Sequence, residues 1–92
     1  MNVKIIRTNG KEENHEVEKR AAMNRIGILI GADCFDTVNL RDGRVMIVDD
    51  TGMIDRKPVN PEATKLYHSV CRPGTPNPIC GDVAVCIDAD FE

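Results

Sequence analysis

Two proline-rich signals frame one short amphipathic segment between residues 58 and 83, and no other stretch constrains the fold as strongly. The triplet Asn60-Pro61-Glu62 is typical of a helix start, because it supplies a preferred N-cap, a proline at the first helical position and an acid near the positive end of the helix dipole. Apolar residues then recur at helical spacing and predict one buried helix side; they are Ala63, Leu66, Tyr67 and Val70. The proline-rich run 73–78 excludes both helix and central strand, and the apolar run 83–87 predicts the last strand.

The N-terminal third predicts a hairpin followed by a helix. Residues 3–8 are rich in β-branched side chains and end at Asn9-Gly10, the strongest short hairpin signal. The return arm, residues 13–17, is polar and is expected as an edge strand. Apolar spacing over residues 18–30 predicts the helix, and Gly31 is expected to close it in the left-handed conformation.

A second hairpin is predicted where residues 35–40 and 45–48 flank Arg41-Asp42-Gly43-Arg44, with Asp-Gly at the tip. The arm 45–48 is apolar throughout, so it is expected to be central and covered on both faces. With the helix after Asn60 and the strand 83–87, the order is β-β-α-β-β-α-β. This order predicts one α+β domain over residues 1–92, a mainly antiparallel sheet with two helices packed on it.

Composition excludes several classes of function. Aromatic residues are limited to Phe35, Tyr67 and Phe91, so an aromatic platform that stacks nucleic-acid bases is not expected. The formal net charge of −3 has the wrong sign for a general DNA binder, and no direct sequence-specific DNA binding is expected. The start Met1-Asn2-Val3-Lys4 lacks a secretory signal, and no apolar run approaches the length of a membrane span. A cytoplasmic protein without membrane contact is therefore expected.

The cysteines and histidines predict no catalytic or metal site. Cys34, Cys71, Cys80 and Cys86 contain no CxxC pair, and disulfides are not expected in the cytosol. A zinc set that adds His68 to the last three has looser spacing than structural zinc sites show, so packing roles are favoured. Neither histidine of the chain lies beside a nucleophile in a pattern that defines a catalytic base. The sequence predicts no enzyme, no cofactor and no metal.

Surface charge is the remaining constellation that predicts a binding site. Acidic candidates gather between the first helix and the second, at Asp33, Asp36, Asp49, Asp50 and Asp55, with further acids at positions 88, 90 and 92. Basic candidates bracket the second hairpin tip and follow it, at Arg41, Arg44, Arg56 and Lys57. Arginine suits carboxylate and phosphate recognition, and hairpin tips are exposed. The simpler interpretation, in which these charges serve solubility and edge protection, stays open.

Three segments in the last three-fifths of the chain resemble a family of small uncharacterised proteins from bacteriophages and mobile elements. The segments are DGRVMIVD at 42–49, PVNPEAT at 58–64 and PGTPNPICGDV at 73–83. This signature is structural and names no activity. In its size, acidity and lack of cofactor chemistry the chain is also similar to phage anti-CRISPR proteins. Those that act on type I surveillance complexes bind the RNA-guided assembly and block target DNA, and the likeness implies no particular site residues.

Two hypotheses from different classes follow. The first, which the resemblance implies, is a non-enzymatic phage inhibitor that binds subunits of a type I CRISPR–Cas surveillance complex and blocks its binding of target DNA. Its carboxylates would pair with arginines of the nucleic-acid channel, and contact of its basic residues with guide RNA stays open. The alternative is a protein that sequesters a nucleotide signal, with Arg41, Arg44, Arg56 and Lys57 together holding the phosphates.

Overall fold

The computed structural model describes residues 1–51, 56–70 and 78–87, which form a five-stranded sheet and two α-helices. In chain order the elements are β1 (Asn2–Ile6), β2 (Glu12–Glu16), α1 (Ala22–Ile30), β3 (Phe35–Asn39), β4 (Arg44–Asp49), α2 (Pro61–Val70) and β5 (Val83–Ile87). A turn of 3-10 helix, Lys19–Ala21, leads into α1. The predicted α+β class and element order are confirmed. Neither helix of the described ranges is long and apolar enough to cross a membrane.

The strands lie in the order β2-β1-β5-β4-β3, and each neighbouring pair is antiparallel. The two predicted hairpins, β1–β2 and β3–β4, therefore form the two halves of the sheet. The last strand, β5, lies between them and pairs with β1 and β4. This arrangement leaves β2 and β3 as the two edge strands.

The helices pack on opposite faces of the sheet, which the sequence did not distinguish. Alternation along β4 divides its side chains, so that Val45 and Ile47 pack with α1 while Met46 and Val48 pack with α2. We call these two sides of the sheet the α1 face and the α2 face. The prediction that residues 45–48 form a central strand covered on both sides is confirmed.

Asn60 fixes the start of α2 and ties that helix to the sheet. Its side chain is fully buried, and its Oδ1 accepts a hydrogen bond from the Ala63 N–H at 3.1 Å, as an N-cap does. Its Nδ2 donates to the carbonyl oxygens of Ile6 and Gly81, at 2.9 and 3.0 Å. The predicted cap thus also joins the end of β1 to the segment that enters β5.

Two glycines shape the α1 end of the molecule. Gly31 ends α1 with a φ of 68°, in the left-handed region where a side chain is strained, as predicted. Gly27 lies inside the helix, where glycine normally costs about 1 kcal/mol relative to alanine. A Cβ at Gly27 would lie 2.6 Å from Phe35 Cζ and 3.0 Å from the Ala32 carbonyl oxygen. Close approach of the first residue of β3 therefore explains this glycine.

Candidate functional site

A groove on the α2 face runs between the edge strand β3 and helix α2, with a volume of about 240 Å³. Val38 of β3 and Val48 of β4 supply apolar floor, Tyr67 and Ile79 supply walls, and Asp36 and Asp50 supply carboxylates. We call this site the edge groove. Among the described residues that line it, none is basic.

Strand register brings the two carboxylates to the same side. Asp36 lies opposite Val48 in the β3–β4 ladder, and the Asp50 N–H extends that ladder by donating to the Cys34 carbonyl at 3.1 Å. Alternate residues of a strand share a face, so Asp36 and Asp50 both lie on the α2 face. Both residues are exposed, and within the described part of the chain no ion pair joins either to a basic residue.

Asp49 also borders the edge groove, but strand alternation directs its side chain to the opposite face from that of Asp50. Its side chain is only 2 % exposed and is ion-paired with the Lys57 ammonium group, which also donates to the Gly31 carbonyl at 2.6 Å. The Thr51 N–H and Oγ1 both donate to Asp49 Oδ1 at 3.0 Å. Burial raises the pKa of Asp49, but the hydrogen bonds from Lys57 and Thr51 outweigh it and hold the pKa below its usual value. Asp49 and Lys57, which were predicted to belong to two separate binding surfaces, therefore neutralise each other.

The four basic candidates are not brought together. Arg44 stands at the start of β4 and pairs with Asp42 at 2.7 Å, while Lys57 pairs with Asp49 at the end of the same strand. At about 3.3 Å per residue, the length of β4 places these positions roughly 17 Å apart. Arg41 and Arg56 are exposed, and both have left-handed backbone conformations. Arg41 lies in the hairpin tip that precedes Arg44, and Arg56 directly precedes Lys57. Within one copy of the chain the four basic candidates therefore do not form a single cluster.

The other acidic candidates lie apart from the edge groove. Asp33 is exposed and lines a shallow depression on the α1 side together with Gly27 and Phe35. Asp55 and the acids at 88, 90 and 92 lie outside the described residues. Of the five predicted aspartates, the structure therefore brings Asp36 and Asp50 together in a site where neither is ion-paired with another described residue.

Acids on the opposite edge of the sheet are largely neutralised by the protein's own cations. On β2, Glu12 pairs with Lys4 at 3.2 Å and Glu13 pairs with Arg7 at 2.9 Å. The Arg7 hydrogen bonds lower the pKa of Glu13 to about 2. Arg7 also donates to Asp82 at 2.9 Å and to the Leu29 carbonyl at 2.6 Å, so it ties β2 to the end of α1. No sequence pattern predicted this role, because residues so far apart in sequence carry no local signal for an ion-pair network.

The cysteines contribute no site in the described ranges. Cys34 is exposed, whereas Cys80 and Cys86 are buried, and Cys86 packs in the core of the α1 face. No group of three or more histidine, cysteine, aspartate or glutamate side chains in the described residues is arranged to hold a metal ion. Cys71, the remaining member of the zinc set weighed from the sequence, lies outside these residues.

No protein-family model matches this chain, and neither does any curated protein or solved structure.

Proposed function

We propose that this protein is a non-enzymatic inhibitor of phage origin that binds a type I CRISPR–Cas surveillance complex in the host cytoplasm and blocks its binding of target DNA. The class of partner comes from the resemblance to phage proteins. The observation that carries a binding role is the edge groove, where Asp36 and Asp50 lie beside an apolar floor and form no ion pair with the described residues.

The edge groove suits a basic side chain of a protein partner. Arginine and lysine place an apolar stem against hydrophobic surface while the charged head stays at the rim. Val38 and Val48 offer that surface, and the carboxylates lie beside it. RNA-guided complexes hold nucleic acid in positively charged channels, so a free acidic groove is complementary to the surface that target DNA must reach.

A nucleotide ligand is supported less well. The edge groove, at about 240 Å³, lies below the roughly 300–1,000 Å³ of drug-sized ligand pockets. Its charged groups are acidic and would repel phosphate, and the basic candidates are divided between the two ends of β4. Contact between exposed Arg41 and guide RNA is compatible with the inhibitor proposal, because Arg41 lies at the hairpin tip and away from the groove.

Co-purification with an assembled type I surveillance complex, followed by a mobility-shift measurement of target DNA binding, tests the proposal. We expect a stoichiometric complex and loss of DNA binding at saturating inhibitor. The double variant Asp36→Lys/Asp50→Lys should lose binding, since each desolvated charge pair lost costs about 2–5 kcal/mol and a rim pair far less. Asp49 is left unchanged in this variant, because it is already paired with Lys57.

The matched control is Glu16→Lys/Glu18→Lys, which reverses two exposed acids near the opposite edge. Each reversal adds two charges, so both double variants move the formal net charge from −3 to +1. We expect the control to bind as the wild type does. Normal target binding at saturating wild-type protein would refute the proposed function, and equal loss in both variants would show that net charge rather than the edge groove is responsible.

A further inference from the structure

The outer side of β3 carries backbone groups that no described strand pairs with. The Leu40 N–H donates to the Arg44 carbonyl and the Asp50 N–H donates to the Cys34 carbonyl, so the even-numbered residues of this hairpin form its hydrogen-bonded pairs. Because hydrogen-bonded and non-hydrogen-bonded pairs alternate, the N–H and C=O groups of the odd-numbered residues point away from β4. These residues are Phe35, Thr37 and Asn39.

Asp36 protects the middle of this edge. Its Oδ1 accepts a hydrogen bond from the outward-pointing Thr37 N–H at 2.8 Å. The carboxylate that lines the groove therefore also occupies the central donor that an added strand would use. A guest that offers both a carbonyl to Thr37 and a cation to Asp36 satisfies both groups at once, whereas a neutral guest strand displaces the carboxylate without a new partner.

We propose that β3 is the docking edge for an extended basic segment of the partner, which adds to the sheet as a sixth strand and places a lysine or arginine in the edge groove. This inference rests on the proposed binding function and specifies its geometry. Strand addition derives affinity from main-chain hydrogen bonds and specificity from pockets for alternate side chains. Here the groove-side pocket is the one that holds Asp36 and Val38.

Charge favours a basic guest over an acidic one, and it favours the β3 edge over the β2 edge. At the β3 edge a basic guest meets Asp36 and Asp50, neither of which is ion-paired in the described chain. On β2 two of the three acids, Glu12 and Glu13, are already paired, and the third, Glu16, has no groove of described residues like the one beside Asp36. Successive side chains of a strand point to opposite faces of the sheet. The guest should therefore have basic residues at every second position, facing the groove, and β-branched or polar residues between them, on the same face as Thr37.

Proline substitutions at the two edges test the inference with matched chemistry. Thr37→Pro removes the outward N–H without removing a ladder hydrogen bond, and proline is tolerated on edge strands in that orientation. The register of β2, set by the Val17–Met1 and Arg7–Lys11 hydrogen bonds, makes Asn14 the equivalent outward residue on the opposite edge. Asn14→Pro is therefore the control, and Thr37→Val retains the N–H with a good strand former.

The probe is a short synthetic peptide in which lysine alternates with valine, with a glutamate–valine peptide for comparison. We expect the lysine peptide to bind the wild type, Thr37→Val and Asn14→Pro alike, and to bind Thr37→Pro at least about tenfold more weakly. The glutamate peptide should not bind. On the wild type, hydrogen exchange should show new protection at the amides of residues 35, 37 and 39, a readout that does not depend on the proline variant folding.

Several results would overturn the inference. They are failure of the wild type to bind the lysine peptide, undiminished binding by folded Thr37→Pro, loss of binding in Asn14→Pro, and absence of protection at residues 35, 37 and 39. Self-association that Thr37→Pro abolishes and the peptide does not compete with would assign the edge to a second copy instead. The peptide assay contains no surveillance complex, so its failure is distinguishable from failure of the proposed function. A Thr37→Pro protein that still co-purifies with the complex would retain the function and refute strand addition.

Discussion

Lys57 donates hydrogen bonds to two groups that lie far apart in sequence, the Asp49 carboxylate at the end of β4 and the Gly31 carbonyl at the end of α1. A cation near a helix C-terminus is favourable because it meets the negative end of the helix dipole. The same ammonium group compensates the burial of Asp49. Lys57 therefore holds α1, β4 and its own loop together, and its charge is compensated by the Asp49 carboxylate.

Removal of this lysine should leave a buried carboxylate without its cation. We expect Lys57→Met to lower the free energy of unfolding by about 3 kcal/mol, near the bottom of the range for breaking a buried pair. The lower figure applies because the Asp49 side chain is 2 % exposed while the Lys57 side chain is 26 % exposed. Urea unfolding at neutral pH measures the change. Lys65→Met is the control, since Lys65 is exposed and its pairing with Glu62 spans 3.5 Å, and it should change stability by no more than about 0.5 kcal/mol.

The same variant should change how stability depends on pH. In the wild type the folded-state pKa of Asp49 lies below its ordinary value of 3.8, so its contribution is present above that value and is lost as pH falls through the folded-state pKa. In Lys57→Met the burial remains while the lysine is gone, so the folded-state pKa should rise. The variant should lose less stability than the wild type on acidification below about pH 4. If acidification lowered the free energy of unfolding of Lys57→Met as steeply as that of Lys65→Met, this assignment would be contradicted.

At the scale of elements, the contact between α1 and β3 depends on an absent side chain. Gly27 lets the Phe35 ring lie against the helix. Glycine in a helix interior is about 1 kcal/mol less favourable than alanine. Helix propensity alone predicts that alanine at this position stabilises the protein. The 2.6 Å approach of a Cβ to Phe35 predicts the opposite.

We expect Gly27→Ala to destabilise the protein by about 1–2 kcal/mol, because overpacking forces the Phe35 ring or the Ala32 backbone to shift. Thermal unfolding measures the effect. Adding Gly27→Ala to Phe35→Leu should lower stability less than adding it to the wild type, since leucine relieves the clash. A gain of stability in Gly27→Ala would show that propensity outweighs this contact.

Asn60 joins three elements, and its two roles can be separated by substitution. Asn60→Ala removes the N-cap and leaves the Ile6 and Gly81 carbonyls without their donor, so we expect a loss of about 3 kcal/mol. Asn60→Ser retains a capping oxygen but cannot reach both carbonyls. It should recover about 1 kcal/mol of that loss, the typical worth of the cap alone. Complete recovery in urea unfolding would show that the two carbonyl bonds contribute little.

At the scale of the molecule, local patterns predicted what depends on neighbours in sequence. Asn9-Gly10 and Asp42-Gly43 specified the hairpins, Asn60-Pro61 specified the start of α2, and the apolar run at 83–87 matched β5 residue for residue. The insertion of β5 between the two hairpins and the placement of the helices on opposite faces depend on long-range packing, which these patterns do not encode.

The candidate site was predictable only in part for the same reason. The sequence identified the acidic stretch that holds Asp36 and Asp50, but it did not distinguish them from Asp49. Strand alternation sends Asp49 to the opposite face from Asp50, and its partner Lys57 comes from a later loop. The groove itself requires α2 to cover the sheet beside β3, so its walls come from segments distant in sequence.

The charge of the edge groove should be visible in the salt dependence of binding by the whole protein. If Asp36 and Asp50 pair with partner cations at a partly exposed rim, the affinity for the surveillance complex should fall as ionic strength rises, because screening acts within a Debye length of about 10 Å at 0.1 M salt. The neutral variant Asp36→Asn/Asp50→Asn nearly preserves shape and retains an oxygen for the Thr37 N–H. It should bind more weakly at low salt, with a shallower salt dependence and most of the difference in the association rate.

The control Glu16→Gln/Glu18→Gln changes the net charge equally and should retain the wild-type salt dependence. Surface plasmon resonance across a salt series measures both rates, and identical slopes for the two neutral variants would assign the electrostatic attraction to the molecule's overall charge instead of to the edge groove.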